Sequence, residues 1–207
     1  MINMLLTNEF NLATFIVGIF SLIGVIVNII VTTVNNKKKR YTDLITQRRI
    51  NTMQNLIDSS SNCIKSLYGV MNENCNYDAI LQTFIENKSQ IFYDTNYKGK
   101  SEQELRFALD ALQDLLIKYI LNKNSITQKQ KEQIFETIKC GVEYYQLLSC
   151  VYCKCEWIRI KETTLSVKES VDTQMEYDNR IKELSSKLET NKNILFNNTF
   201  ENIVNKK

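Results

Sequence analysis

The most constraining feature of this sequence is a long uncharged run near its N-terminus, residues 12–34, LATFIVGIFSLIGVIVNIIVTTV. As an α-helix rising 1.5 Å per residue, the run is roughly 35 Å long, enough to cross a hydrocarbon core of about 30 Å. A cleaved signal peptide is disfavoured, because the preceding residues contain no Lys or Arg and the apolar run is too long. The run therefore predicts a single retained transmembrane helix.

The charges beside this run predict its orientation. A basic cluster follows it directly: Lys37, Lys38, Lys39 and Arg40. The preceding residues 1–11 carry only Glu9. By the positive-inside rule, the amino end faces out and the rest of the chain is cytoplasmic. The cluster is expected to set the orientation of the span or to contact anionic lipid headgroups. The alternative is that it binds RNA.

One face of the predicted span is small and polar. Its members recur at steps of three and four residues, and only Val25 among them is large and apolar: Thr14, Gly18, Ser21, Val25, Asn28 and Thr32. At 100° per residue they fall within a stripe about 80° wide. Two interpretations stay open. The stripe is either a packing seam between the helices of a homo-oligomer or the lining of a small aqueous pore.

Composition limits what the remainder can do. With 207 residues, 43% of them hydrophobic, the chain can bury one modest core besides its span. Its net charge of +3 is far from the strongly basic balance of a nucleic-acid-binding domain. No histidine is present, which removes the commonest general base and most catalytic-metal schemes. We therefore expect no enzyme activity, no cofactor and no small-molecule substrate.

Six cysteines occupy positions 63, 75, 140, 150, 153 and 155. In a reducing cytoplasm they are expected as free thiols. Cys150, Cys153 and Cys155 lie within a helical pattern, and neither a second cysteine pair nor a histidine completes a set of four ligands. They are therefore expected as small apolar core residues, with a metal or redox role as the alternative.

The cytosolic part has the periodicity of helices. A first helix of about residues 42–71 continues the axis of the span. Its predicted inner face is Met53, Ile57, Ser60, Ile64, Leu67 and Met71, and Leu56 and Tyr68 widen that face. A shorter helix follows at residues 77–93. Glycine and proline, which interrupt helices, number only five and zero. These patterns favour an all-α fold.

Two capping boxes predict where the later helices begin. Ser101 with Glu104 starts one helix, and Thr127 with Gln130 starts another. The apolar pattern of the last helix continues to about residue 190. Because an unbroken helix of that length would be about 90 Å long, we expect a kink or break near residues 163–173.

These elements predict four segments. They are an extracytoplasmic leader at 1–11, a transmembrane helix at 12–34, a cytosolic helical bundle at 35–165, and a C-terminal helical arm and tail at 166–207. The fold class is therefore all-α, with one N-terminal transmembrane helix followed by a cytosolic bundle that has a long C-terminal helix. The arm is expected as a coiled coil or a peripheral oligomer contact, and its last residues as a frayed tail.

Two short motifs carry a resemblance. Residues 45–50, ITQRRI, resemble the Ile-Thr-x-x-Arg helix that follows the span in many small bacterial membrane proteins, although Met53 stands where those proteins usually have tryptophan. Residues 154–161, KCEWIRIK, are similar to a Lys-x-Glu-Trp-x-Arg-Val-Lys signature late in the same proteins. These proteins include membrane-anchored accessory effectors of RNA-guided CRISPR systems.

The resemblance implies a function that the residues alone do not. Some of those effectors have HEPN-like helical domains and assemble as oligomeric membrane pores, which implies a location in the bacterial inner membrane. The HEPN nuclease motif requires a histidine, so the absence of histidine excludes nuclease activity by that route. The expectation is a non-enzymatic antiviral effector that oligomerises and perturbs or permeabilises the membrane. The alternative is a membrane-anchored scaffold or receptor for a cytosolic protein or ribonucleoprotein.

The second motif also contains a candidate partner surface. Trp157 and Arg159 are residue types favoured as anchors at protein interfaces, and Glu156 lies beside them. A purely structural role is the other interpretation: the indole packs against the bundle, while Glu156 and Arg159 form an ion pair of small net value.

Overall fold

A computed structural model of the chain describes residues 2–72, 75–95, 99–165 and 173–205, without the side chains of residues 2–14, 162–165, 173–174 and 185. The described residues form seven helices and no strand. The helices are α1 Ile2–Gly69, α2 Tyr77–Asp94, α3 Lys100–Asn122, α4 Gln128–Leu165, α5 Thr173–Glu183, α6 Ser185–Asn197 and α7 Phe200–Asn205. The prediction of an all-α fold is confirmed.

The chain divides into two compact units, Met1–Gln47 and Arg48–Lys207, and α1 contributes to both. In the first unit, an apolar window of α1 reaches a mean hydropathy of 2.6 and is 0% buried within the chain. Large side chains such as Phe20, 70% exposed, are left uncovered there. By length and composition, this part of α1 could cross a membrane.

The second unit is a helical bundle built around α4. Helix α4 packs against α3, α5, α6 and α7, while α2 packs against α3. Helix α3 buries an apolar stripe made of Leu105, Ala108, Leu109, Leu112, Leu116 and Tyr119. Facing it, α4 buries Ile134, Ile138, Val142, Tyr145 and Leu148. These two stripes form the centre of the hydrophobic core.

The buried face of α1 in the second unit is offset from the predicted one. The buried residues recur as Leu56, Ser60, Cys63, Leu67 and Val70. Leu56, Ser60 and Leu67 were predicted to face inward, but Cys63 and Val70 were not, and Ile57, which was, is 43% exposed. Ser60 and Cys63 are buried because each contacts a neighbouring helix: the Ser60 hydroxyl lies 2.7 Å from the Tyr145 hydroxyl of α4, and the Cys63 thiol donates to the Phe84 carbonyl of α2 over 3.7 Å.

The two predicted capping boxes had different outcomes. At the start of α4, the Thr127 N–H donates to Gln130 Oε1 over 2.8 Å, and the Gln130 N–H donates to Thr127 Oγ1 over 3.3 Å, as predicted. The prediction of a Ser101–Glu104 capping box is wrong. Helix α3 begins at Lys100 with Gly99 as its N-cap, and the Ser101 hydroxyl donates to Glu102 instead.

The C-terminal helices also differ from expectation. Buried Tyr177, Leu188 and Leu195 attach α5 and α6 to the bundle, so their apolar faces are used within the chain and not in a separate arm. Residues 200–205 form α7, which buries Phe200 and Ile203, so the prediction of a frayed tail is wrong there. The break expected near residues 163–173 falls largely on residues 166–172, outside the described ranges.

Candidate functional site

The polar stripe of the first unit lies on the uncovered part of α1. Gly18, Ser21, Val25, Asn28 and Thr32 are all exposed within the chain. A Cβ atom added at Gly18 would meet nothing within 4 Å, so this face is open to a close approach by another helix. Thr14, the first member of the predicted stripe, belongs to α1, but its side chain lies outside the described set.

The amide of Asn28 is the most polar group on this stripe. The Thr32 hydroxyl donates to Asn28 Oδ1 over 3.2 Å, one helical turn away. Within the part of the chain that the structure describes, the two N–H groups of the same amide make no hydrogen bond. In hydrocarbon, unpaired amide hydrogens are costly, so a neighbouring chain or water would be needed to accept from them.

The basic cluster follows the stripe on the same helix. Lys37, Lys38, Lys39 and Arg40 are helical and exposed. Their exposure leaves the four charges available for anionic lipid headgroups.

The predicted partner patch lies near the end of α4. Trp157 is 43% exposed, a large fraction for the only tryptophan of the sequence. Lys161 Nζ lies 5.5 Å from the centre of the indole ring, a cation–π contact. Glu156 and Arg159 form an ion pair of 3.5 Å within the helix. Trp157 is thus left with an open apolar face.

An open groove runs beside Trp157 in the second unit. Its volume is about 740 Å³, and it is lined mainly by apolar atoms of α1 and α4, with one residue of α5. The lining residues are Met53, Ile57, Ser60, Ser61, Ile64, Lys65, Gln146, Ser149, Cys150, Cys153, Lys154, Trp157, Ile158 and Arg180. We call this feature the α1/α4 groove.

The charges at the α1/α4 groove all have one sign. Lys65 on α1 and Lys154 on α4 are exposed, and neither forms an ion pair with any residue that the structure describes. Arg180 Nε lies 2.7 Å from Glu176 Oε1. The lining residues include no carboxylate. An apolar floor between unpaired cations suits an occupant that is apolar on one side and acidic at its edges.

A buried hydrogen bond holds the two walls of the groove together. The hydroxyl oxygens of Ser60 on α1 and Tyr145 on α4 are 2.7 Å apart, and both residues are buried. Burial raises the pKa of Tyr145 to about 12, so this phenol stays protonated at neutral pH. The walls therefore meet at a fixed, satisfied polar contact.

Two free cysteines line the groove. Cys150 is exposed and Cys153 is half-buried, and both line the groove. Burial raises the pKa of Cys153 to about 11, which disfavours the thiolate that metal binding and redox exchange require. No group of three potential ligands among the described residues is arranged to hold a metal ion.

The sequence indicated Trp157 as a candidate partner-binding residue but did not indicate the groove beside it. Met53, Ile57 and Ile64 were assigned to the inner face of α1, whereas in the structure they line the groove. The signal that could have revealed it is the neighbouring set of small residues, Ser59, Ser60, Cys63 and Ser66, at the same helical spacing. That set is buried in the structure, and the larger side chains lie at its edge.

The chain was compared with known proteins at three levels. It matches no protein-family model, no curated protein and no solved structure.

Proposed function

We propose that this chain is a non-enzymatic, membrane-anchored bacterial effector of the antiviral type. In this proposal, copies associate through the polar stripe of α1 and perturb or permeabilise the inner membrane. The observation that carries the proposal is Asn28, whose amide hydrogens have no acceptor among the described residues although the surrounding helix is apolar and uncovered.

Physical chemistry favours association over an isolated span. A lone amide in hydrocarbon costs a few kcal/mol unless another group accepts its hydrogens. Small residues such as Gly18 and Ser21 allow a second helix close enough to supply that acceptor. If instead water fills the space between copies, the same stripe lines a pore.

The antiviral assignment rests on the resemblance of residues 45–50 and 154–161 to membrane effectors.

The absence of histidine supports a non-enzymatic role. A general base near neutral pH is most often histidine, and the sequence contains none. The groove cysteine Cys153 is a poor nucleophile, because its pKa is raised. We therefore propose that the protein acts through association of its copies and not through catalysis.

The test combines crosslinking with ion leakage in bacterial cells that produce the full chain. Asn28→Leu weakens crosslinking between copies if the stripe is a packing seam, and abolishes leakage with assembly intact if it lines a pore. Val27→Leu, about 100° round the helix, is the control that changes neither. If Asn28→Leu also changes neither, the effector proposal loses its support.

A second candidate function is favoured by the α1/α4 groove. An uncovered apolar groove of about 740 Å³ beside a half-exposed tryptophan is typical of a surface that binds another protein. A membrane-anchored scaffold or receptor would use it to hold a cytosolic partner. A photo-crosslinking amino acid at Ile57 should then trap one cytosolic protein in cells. The same amino acid at Leu121, which is exposed but outside the groove, should not.

A further inference from the structure

The dimensions of the α1/α4 groove match one face of an α-helix. On α1, its lining extends from Met53 to Lys65, and on α4 from Gln146 to Ile158. At 1.5 Å per residue, each wall is about 18 Å long. A helix that docks through anchors at i, i+4, i+7 and i+11 covers about 16 Å, so three turns of helix fill the groove from end to end.

The floor of the groove offers apolar contacts along that length. Ile57 and Trp157 are each 43% exposed, and Ile64 is half-buried beside them. An aromatic side chain with aliphatic neighbours, open on one side, is the kind of surface that receives the leucines of an amphipathic helix. Burying these side chains under a docked helix would remove from water the apolar area that the bundle leaves exposed.

The charged residues at the edges of the α1/α4 groove favour an acidic occupant. Lys65 stands on the α1 wall and Lys154 on the α4 wall, and neither has an ionic partner among the described residues. A helix lying between them brings the residues that flank its apolar stripe close to both cations. Acidic residues at those positions are attracted from both sides, and basic residues are repelled.

The same charges disfavour a second copy of this chain as the occupant. Two copies that paired groove to groove would bring Lys65 and Lys154 of both copies together with no carboxylate in the lining to offset them, which is a repulsive arrangement. The charge pattern therefore favours a different protein with an acidic amphipathic helix over self-association through this face.

We propose that the α1/α4 groove docks an acidic amphipathic helix of a cytosolic partner protein. The inference rests on the second proposed function, recruitment of a partner, and adds the chemistry of that partner. It does not depend on association through the polar stripe, so the two proposals can fail separately.

The test uses Trp157 as a built-in reporter, because it is the only tryptophan of the sequence. The full chain is placed in nanodiscs of zwitterionic lipid and titrated with two tryptophan-free helical peptides. Both peptides carry leucines at i, i+4, i+7 and i+11. One has glutamates beside this stripe, and the other has lysines. Trp157 emission and its quenching by acrylamide are recorded, with empty nanodiscs as the blank.

We expect the glutamate peptide to protect Trp157 from acrylamide and to bind about tenfold or more tightly than the lysine peptide. The double variant Lys65→Glu/Lys154→Glu should reverse this preference. Because it gains affinity for the lysine peptide, that gain also shows that the bundle is folded. The control Lys129→Glu/Lys192→Glu reverses two exposed charges outside the groove and should leave the preference unchanged.

Each of the following outcomes overturns the proposal. They are equal affinity for the two peptides, a preference that survives the groove reversal, no protection of Trp157 by either peptide, and protection of Trp157 by a second copy in the absence of peptide. Protection that appears only when phosphatidylglycerol is added to the nanodiscs assigns the groove to lipid and also overturns it. If the unmodified chain prefers the lysine peptide, the partner helix is not acidic and this proposal is wrong. The broader proposal that the groove recruits a cytosolic protein is not affected by that result.

Discussion

The hydroxyl oxygens of Ser60 and Tyr145 lie 2.7 Å apart in the buried contact between α1 and α4. They are 85 residues apart in the sequence, so this single hydrogen bond joins distant parts of the chain. It lies where the walls of the α1/α4 groove converge, and Ser60 itself lines that groove. The contact fixes the separation of the two walls on which the groove depends.

The first prediction concerns this contact. Tyr145→Phe should lower the free energy of unfolding by about 1–2 kcal/mol, because it leaves the Ser60 hydroxyl without its buried partner. Ser60→Ala should have a similar effect. The double variant should cost less than the sum, with a coupling of about 0.5–1.5 kcal/mol. Chemical unfolding of the solubilised full chain, followed by circular dichroism, measures these values. Strict additivity would show that the hydroxyls do not interact.

The second prediction concerns Gly141 in α4. A Cβ atom there would lie 2.7 Å from Leu112 Cδ2 and 2.8 Å from Leu195 Cδ1. Such overpacking costs about 1–3 kcal/mol, whereas alanine gains about 1 kcal/mol in helix propensity. Gly141→Ala should therefore lower stability by about 1 kcal/mol in a thermal or chemical unfolding experiment.

Leu112→Ala supplies the control for Gly141. In that background, one of the two close contacts is relieved, so adding Gly141→Ala should cost less than it does in the unmodified chain. An increase in stability on Gly141→Ala alone would show that α3 and α6 do not pack closely on this part of α4.

The third prediction concerns alkaline pH. Burial raises the pKa of Cys63 from 9.0 to about 12 and that of Tyr145 from 10.0 to about 12. Above pH 9 the unfolded chain therefore loses these protons before the folded chain does. Stability should fall between about pH 9 and pH 12, by up to about 1.4 kcal/mol per pH unit for each group.

Unfolding measured at a series of pH values tests this expectation. Cys63→Ser removes one ionising group and should flatten the decline, particularly between pH 9 and the onset of tyrosine ionisation. A free energy of unfolding that stays constant from pH 9 to pH 12 in the unmodified chain contradicts the burial of both side chains.

The fourth prediction concerns topology. A reporter fused after Lys207 should be active in the cytoplasm, because the cluster Lys37–Arg40 follows the apolar run. Replacement of the four basic residues by glutamine should give a mixture of orientations. A reporter active only outside the cytoplasm in the unmodified chain would contradict the assigned orientation and the reducing environment expected for the cysteines.

The sequence predicted which segments are helical better than it predicted which face of each helix is buried. The start of α4 was identified correctly, because the reciprocal Thr127–Gln130 hydrogen bonds are local and depend on few other residues. Ser101 is not the N-cap, because Gly99 occupies that position and α3 begins two residues earlier than predicted. Helix boundaries set by local chemistry can thus be predicted, but only to within a residue or two.

The α1/α4 groove could not be predicted in the same way. Hydrophobic periodicity ranks Ile57 above Cys63 as a core residue, yet Cys63 is fully buried and Ile57 is 43% exposed. Which side of a helix is buried depends on the partner helices, and small side chains permit the closer contact. Long-range packing therefore determines the groove, and the sequence pattern of one helix does not contain that information.

Association of copies of this chain in the membrane can be measured by native mass spectrometry of the detergent-solubilised full chain, which counts copies without assuming which residues join them. We expect one defined species of two or more copies that persists on dilution. A single copy at every concentration and in every mild detergent would show that the copies do not associate.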